Sequence, residues 1–219
     1  MKTTEYLDNG ITVFQDDELY TFTSDPILLS RFAKVGKNET VADFCAGVGV
    51  VGFNLYALNG EKISSLTFFE MQKPLFDLCQ ENIVANGLEN KFSAVNCKVQ
   101  DLPKEFYGKF SLIVCNPPYM PKGTFGAERS DIDFCRRETA LRLEELIAAV
   151  AKGLKFGGKV CMVHRADRLA DLIFFMRFAG IEPKRILPVA ARGKEPYLVL
   201  IVGVKGGKSG LKLLSVLYN

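Results

Sequence analysis

Thr40-Val41-Ala42-Asp43-Phe44-Cys45-Ala46-Gly47-Val48-Gly49-Val50-Val51-Gly52 decides the fold. A short run of strand-favouring residues ends in a literal G-x-G-x-x-G, and the apolar stretch from Val50 to Leu58 continues as a helix. Glycines at such a junction permit a tight turn and close backbone approach of a nucleotide ligand. The loop alone does not say which nucleotide.

Working outward, the pattern from residue 40 onward alternates β-branched or aromatic runs with amphipathic stretches, as a mostly parallel sheet with crossover helices requires. Strands are expected near 40–45, 63–69, 92–97, 110–115, 158–163 and 197–204, and helices near 49–58, 74–86, 138–153 and 166–179. In the last helix Leu169, Leu172, Ile173, Met176 and Ala179 share one face and read as core. Gly87, Gly157-Gly158 and Gly180 are read as helix ends. The expected organisation is one α/β, Rossmann-like domain over 36–219 with an extension, 1–35, packed over the ligand site. In that extension Ser24 or Asp25 starts a helix at Pro26, and Phe22, Ser24 and Asp25 are candidates to cover the ligand. Residues 120–137 lack a clear period and read as a long loop.

Charge is unevenly divided. Residues 1–150 hold 15 Lys+Arg against 21 Asp+Glu, and residues 151–219 hold 13 against 4, so −6 is followed by +9. A basic C-terminal third fits a polyanionic partner or a solvated basic surface. Six cysteines stand singly without a Cys-x-x-Cys pair, which argues against a zinc site or a disulfide framework. No apolar stretch approaches a membrane span, and the first residues lack a signal-peptide core, so a cytoplasmic protein without bound metal is expected, with a monomer as the default.

The second decisive stretch is Asn116-Pro117-Pro118-Tyr119, directly after the apolar run 110–115. Two prolines fix extended backbone and keep their carbonyls out of any helical ladder. An amide oxygen beside such a carbonyl offers two acceptors to one planar NH2 group, and Tyr119 offers a ring for a flat base. Asn116, Pro117 and Tyr119 are therefore the catalytic candidates for transfer to an exocyclic amine. Asp43, four residues before Gly47, can hold the cationic amino acid end of S-adenosylmethionine, from which a pyrophosphate would gain nothing. Glu70 ends the second expected strand and can accept ribose hydroxyls in either cofactor. Asp101 fits an acceptor for the adenine amino group and a helix N-cap equally well. The candidate cofactor contacts are Asp43, Cys45, Gly47, Gly49, Glu70, Met71, Asp101, Leu102 and Asn116. Gly206-Gly207-Lys208-Ser209 is not a phosphate-binding loop, because Val202 stands where its first glycine belongs; it reads as a basic turn that can touch RNA phosphate. His164, the single histidine, reads as a structural or weak RNA-contact residue.

With these pieces assembled the chain resembles class I S-adenosylmethionine-dependent methyltransferases. More narrowly it is similar to the bacterial family that methylates N6 of the adenine just 3′ of the anticodon in a valine tRNA. The resemblance runs nearly end to end, through Tyr20–Leu29, Asn116–Tyr119, His164–Leu169 and Gly203–Gly210. It implies a seven-stranded sheet with helices on both faces, S-adenosylmethionine as cofactor and tRNA as substrate. Tyr119, Glu138, Arg165 and Lys208 are the substrate contacts it brings forward. Between Glu128 and Glu138 the chain has Arg129, Arg136 and Arg137 in place of the Arg-His-Glu string of relatives, and only Glu138 is matched there.

Glutamine-N5 methylation of a release factor would use the same clamp, but the residues before the first strand leave little room for the helical domain such enzymes carry. Methylation of ribosomal RNA or DNA would also use it. A nicotinamide-dependent oxidoreductase would explain Gly47–Gly52 and Glu70 and leave Asn116–Tyr119 idle.

Overall fold

The computed structural model describes residues 2–19, 24–118 and 141–219. The chain opens with a hairpin of β1 (Lys2–Tyr6) and β2 (Thr12–Asp16), then helix α1 (Asp25–Phe32). Ser24 stands at the N-cap of α1 and Pro26 in its first turn, where a missing N–H costs nothing. The alternation follows as β3 (Glu39–Phe44), α2 (Val50–Asn59), β4 (Ile63–Glu70), α3 (Lys73–Ala85), β5 (Phe92–Asn96) and β6 (Phe110–Cys115). After the segment 119–140 come α4 (Leu143–Gly153), β7 (Leu154–Arg165), α5 (Leu169–Phe178), β8 (Ile181–Ala190) and β9 (Leu198–Lys205). Two short tail strands, β10 (Lys212–Leu213) and β11 (Leu217–Tyr218), close the chain.

The main sheet runs β10-β8-β9-β7-β6-β3-β4-β5, and β11 also pairs with β8. Six of its seven long strands are those expected, β8 being the addition, and the tail strands extend the β8 edge. β9 is antiparallel to both of its neighbours, and the other pairings are parallel. Two apolar layers cover the sheet. Val41, Leu112, Val114 and Val163 pack toward α1, α2 and α3, whereas Ala42, Phe44, Ile113 and Met162 pack toward α4 and α5. This is the period-2 alternation of strands buried on both faces.

Two features depart from the reading above. β8 was not anticipated, because Pro183 and Pro188 argue against a central strand. The tail strands pair only with Arg185, Ile186, Val189 and Ala190, so both prolines fall where β8 has no outer neighbour. Gly157-Gly158 does not end a helix: α4 stops at Gly153, and the pair lies in a bulge of β7. The N-terminal hairpin and α1 pack against the rest of the chain, where Ile11, Val13, Leu29 and Ala33 share the core of α2 and α3.

Candidate functional site

Parallel strands bring their C-terminal ends to one edge, and the sheet register fixes what meets there. Phe44 pairs with Cys115 and with Phe69, and Cys115 pairs with Met162. One residue further along each strand, Cys45, Glu70 and Asn116 stand level, with Asn96 opposite Glu70. The glycine loop, the acid and the Asn-Pro-Pro turn therefore share one end of the fold.

Asp43 is fully buried in β3. Its Oδ2 accepts the Gly52 N–H at 2.9 Å, so the carboxylate sits against the N-terminal turn of α2, where the helix dipole favours an anion. Its Oδ1 is buried and accepts no hydrogen bond among the described residues. Burial, with the Glu70 charge adding to it, pushes the carboxyl up to about 8. A carboxylate with one oxygen spent on folding and the other left over is a socket for a cation.

Glu70 is also buried. Its Oε2 accepts the Gly47 N–H at 2.9 Å and its Oε1 the Gln72 N–H at 2.8 Å, so it ties the glycine loop to the β4 end. Burial raises its pKa and these backbone donors oppose the rise. Each carboxylate oxygen keeps a second lone pair for a ligand hydroxyl. Asn96 Nδ2 donates to the Glu70 and Met71 carbonyls at 2.8 and 3.1 Å, and half-buried Met71 follows at the rim.

The glycines divide their work. Gly47 has φ 57° and no atom within 4 Å of where a Cβ would stand, which leaves its face open to a ligand. A Cβ on Gly52 would lie 2.4 Å from the Phe68 ring, so that glycine permits helix–sheet packing. Cys45 has the left-handed φ 59°, and the Cys115 thiol is fully buried, which raises its pKa well above the usual range.

Asn116 begins the turn, with Pro117 buried and Pro118 half-buried after it. The Asn116 Oδ1 is buried and has no hydrogen-bond partner among the described residues. Buried acceptors are seldom left so, and one at the mouth of a ligand edge reads as an acceptor kept for substrate. Tyr119, Glu138 and the 120–137 loop lie outside the described residues, as do Tyr20–Thr23.

Other candidates are relocated. Asp101 closes a single 3-10 turn, Val99–Asp101, whose N-cap is Lys98, so it is not a cap; it is exposed after β5. The Leu102 side chain is core, 3.4 Å from where Gly153 would carry a Cβ, and only its backbone can face a ligand. Arg165 ends β7 at the site edge with its guanidinium engaged by Asp167. His164 is 2% exposed inside β7, which removes RNA contact from its roles. Lys208 is not at this edge. Lys205 pairs with Ile181 at the start of β8, and Gly206 N–H bonds the Gly180 carbonyl, so the turn that follows lies at the opposite end of the strands.

One buried polar residue that supports the site escaped the sequence reading. Asn82 in α3 is fully buried, and its amide accepts the Phe14 N–H and donates to the Phe14 and Val48 carbonyls, at 2.7, 3.0 and 3.0 Å. It thereby joins the hairpin to the glycine loop. Asn86, one turn on, repeats the pattern on Thr12. Two asparagines four apart in a helix, where asparagine is a poor former, were the available signal.

The methyltransferase small domain model matches residues 9–177. The chain belongs to that family. The dinucleotide reading is thereby set aside. A tRNA1(Val) (adenine(37)-N6)-methyltransferase of Shewanella putrefaciens is 27% identical to this methyltransferase over 181 residues, 81% of this chain and 74% of the relative. Among solved structures, Methanocaldococcus jannaschii Trm5 in complex with adenosine has a TM-score of 0.70 at 16% identity, covering 94% of this chain and 56% of that one. M. jannaschii TYW2 in complex with AdoMet has a TM-score of 0.64 at 14% identity, covering 92% and 84%. At these identities the solved structures establish the fold. S-adenosylmethionine is the cofactor, and the residues fit it: an unsatisfied buried carboxylate oxygen for its ammonium, a second acid for its ribose and an open glycine for its backbone approach. Among the described residues no helix is long and apolar enough to cross a membrane, and no cluster of His, Cys, Asp or Glu could hold a metal.

Proposed function

We propose that this methyltransferase acts on N6 of the adenine just 3′ of the anticodon in a tRNA. The observation that carries the reading is the buried Asn116 Oδ1, without a partner among the described residues and level with the glycine loop at the cofactor edge. The activity for which the Shewanella putrefaciens relative is named agrees with it.

S-adenosylmethionine held there supplies a methyl group on a cationic sulfur. Asp43 Oδ1 would face the ammonium, Glu70 the ribose hydroxyls, Asp101 the adenine amino group, and Gly47 would let the loop backbone come close. Asn116 Oδ1 and the Pro117 carbonyl accept the two N–H bonds of the target amine. Holding both hydrogens turns the nitrogen lone pair out of conjugation with the ring and toward the methyl donor. Neither acceptor is basic, so the proton lost after transfer leaves to water. Alignment of this kind is worth up to about 7–11 kcal/mol. Tyr119 stacks on the extruded base, which costs little to unstack in an unpaired loop.

The test is transfer of labelled methyl from S-adenosylmethionine to unmodified tRNA, release factor and duplex DNA in parallel, with nucleoside identification of the product. N6-methyladenosine in tRNA, absent with Asn116→Ala, is the expected result. Label in protein or DNA would overturn the substrate and keep the clamp.

A further inference from the structure

Gly206-Gly207-Lys208 was left without a role when the register placed it away from the catalytic edge. The opposite end of the fold is not a plain surface. Between its pairings Phe110–Leu154 and Leu112–Lys159, β7 advances five residues where β6 advances two, and the excess forms a bulge. Gly158 fits inside it, because a Cβ there would lie 2.8 Å from the Lys155 carbonyl. Phe156 is pushed outward and is 81% exposed. One edge of its ring lies over Gly206, where a Cβ would come within 2.1 Å of it, so the glycine turn serves as a seat for the ring. The turn is itself fixed: Lys205 Nζ donates to the Ala151 and Leu154 carbonyls at the end of α4, and Lys184 Nζ donates to the Lys208 carbonyl. Gly206 N–H bonds Gly180 at 2.8 Å, which brings the end of α5 alongside. There Phe178 is 79% and Phe174 62% exposed, with their rings stacked at 6.1 Å.

Lys155 adjoins Phe156 in the chain, and Lys208 follows its glycine seat by two residues. Lys152, Lys155 and Lys208 are exposed and have no acidic partner among the described residues. Three of the four acids in 151–219 are each taken by an arginine, Asp167 by Arg165, Asp171 by Arg168 and Glu182 by Arg177. A second copy of the chain would bring lysine against lysine in a two-fold contact, which opposes self-association. Exposed flat rings interleaved with unpaired ammonium groups match instead an unpaired nucleotide, which presents a flat base beside a phosphate.

We infer that Phe156, on its glycine seat and flanked by Lys155 and Lys208, forms a second RNA-binding site, at the sheet edge opposite catalysis. The inference rests on tRNA being the substrate. The second site holds a part of the RNA outside the anticodon loop, its lysines on phosphates and Phe156 against a base.

The experiment measures affinity by fluorescence anisotropy for full-length unmodified tRNA and for its isolated anticodon stem-loop, using wild type, Phe156→Ala and Lys155→Glu. Phe156→Ala is expected to weaken tRNA binding by at least about five-fold, the low end for loss of one stacked base. Lys155→Glu should lower the salt slope by about one or more. Stem-loop affinity and S-adenosylmethionine affinity should stay at wild-type values, which also reports correct folding. Unchanged tRNA affinity in both variants would overturn the second site alone, as would equal weakening for tRNA and stem-loop. Concentration-dependent dimerisation of wild type in sedimentation, lost in Phe156→Ala, would assign the patch to self-association. Wild type that neither binds nor methylates tRNA would overturn this inference together with the proposed substrate.

Discussion

Asn116 and Asp43 each carry a buried oxygen without a hydrogen-bond partner among the described residues. A buried acceptor without a donor costs about 1–3 kcal/mol, so its removal relieves the free protein. Asn116→Ala should therefore lose at least about 100-fold in turnover while its thermal midpoint stays equal to or above wild type; a lowered midpoint with retained turnover would make the amide structural. Asp43 gives a pH signature. Its carboxyl is raised to about 8 in the folded chain from an ordinary value of 3.8, so the folded state holds a proton that the unfolded state has lost between these values. Stability of the cofactor-free protein should then fall as pH rises from about 4 to 8, with Glu70 adding in the same direction. Asp43→Asn should flatten the curve of melting temperature against pH. The ligand role proposed for Asp43 comes from its spacing to Gly47. Its second role, accepting the Gly52 N–H, was not legible there, because that depends on which oxygen faces the helix.

Among the elements, those that bury both faces were the readable ones: all six residues of β6 are buried, and the sequence there is apolar but for Ser111, whose hydroxyl bonds the Thr40 backbone. β8 was hidden by prolines that only the short reach of the tail makes tolerable, and the β7 bulge was hidden because Gly-Gly marks helix ends and bulges alike. The link between β2 and α3 is side chain to backbone, which no periodicity encodes. Asn82→Ala would strand the Phe14 and Val48 groups inside the protein. A loss of about 2–3 kcal/mol is expected, or a melting temperature roughly 5–10 °C lower for a chain of this size. Because Val48 belongs to the glycine loop, cofactor affinity should weaken as well. Asn86→Ala, at a half-buried position, should cost less in denaturant unfolding and leave cofactor affinity alone.

For the whole molecule, the basic C-terminal third reaches both ends of the strands, with Lys152, Lys155 and Lys208 at one and Arg165, Arg192 and Lys194 at the other, whereas the cofactor socket is built on the acids Asp43 and Glu70. RNA affinity should therefore fall steeply and linearly on a log–log plot against salt, whereas S-adenosylmethionine affinity should hardly move. Parallel slopes for the two ligands in titrations over the same salt range would contradict that separation. The sequence made the basic third visible but not its placement, since Lys208 follows the strand that runs against all its neighbours. That strand, β9, has eight residues and starts beside Arg165 at one edge and ends at Lys205 on the other. At about 3.3 Å per residue it spans roughly 23 Å of rigid, fully paired backbone. β9 thus works as a caliper: its jaws are the catalytic turn and the phenylalanine seat, and their spacing cannot adjust to a shorter RNA. Size selection of the substrate would then be written into the length of one strand.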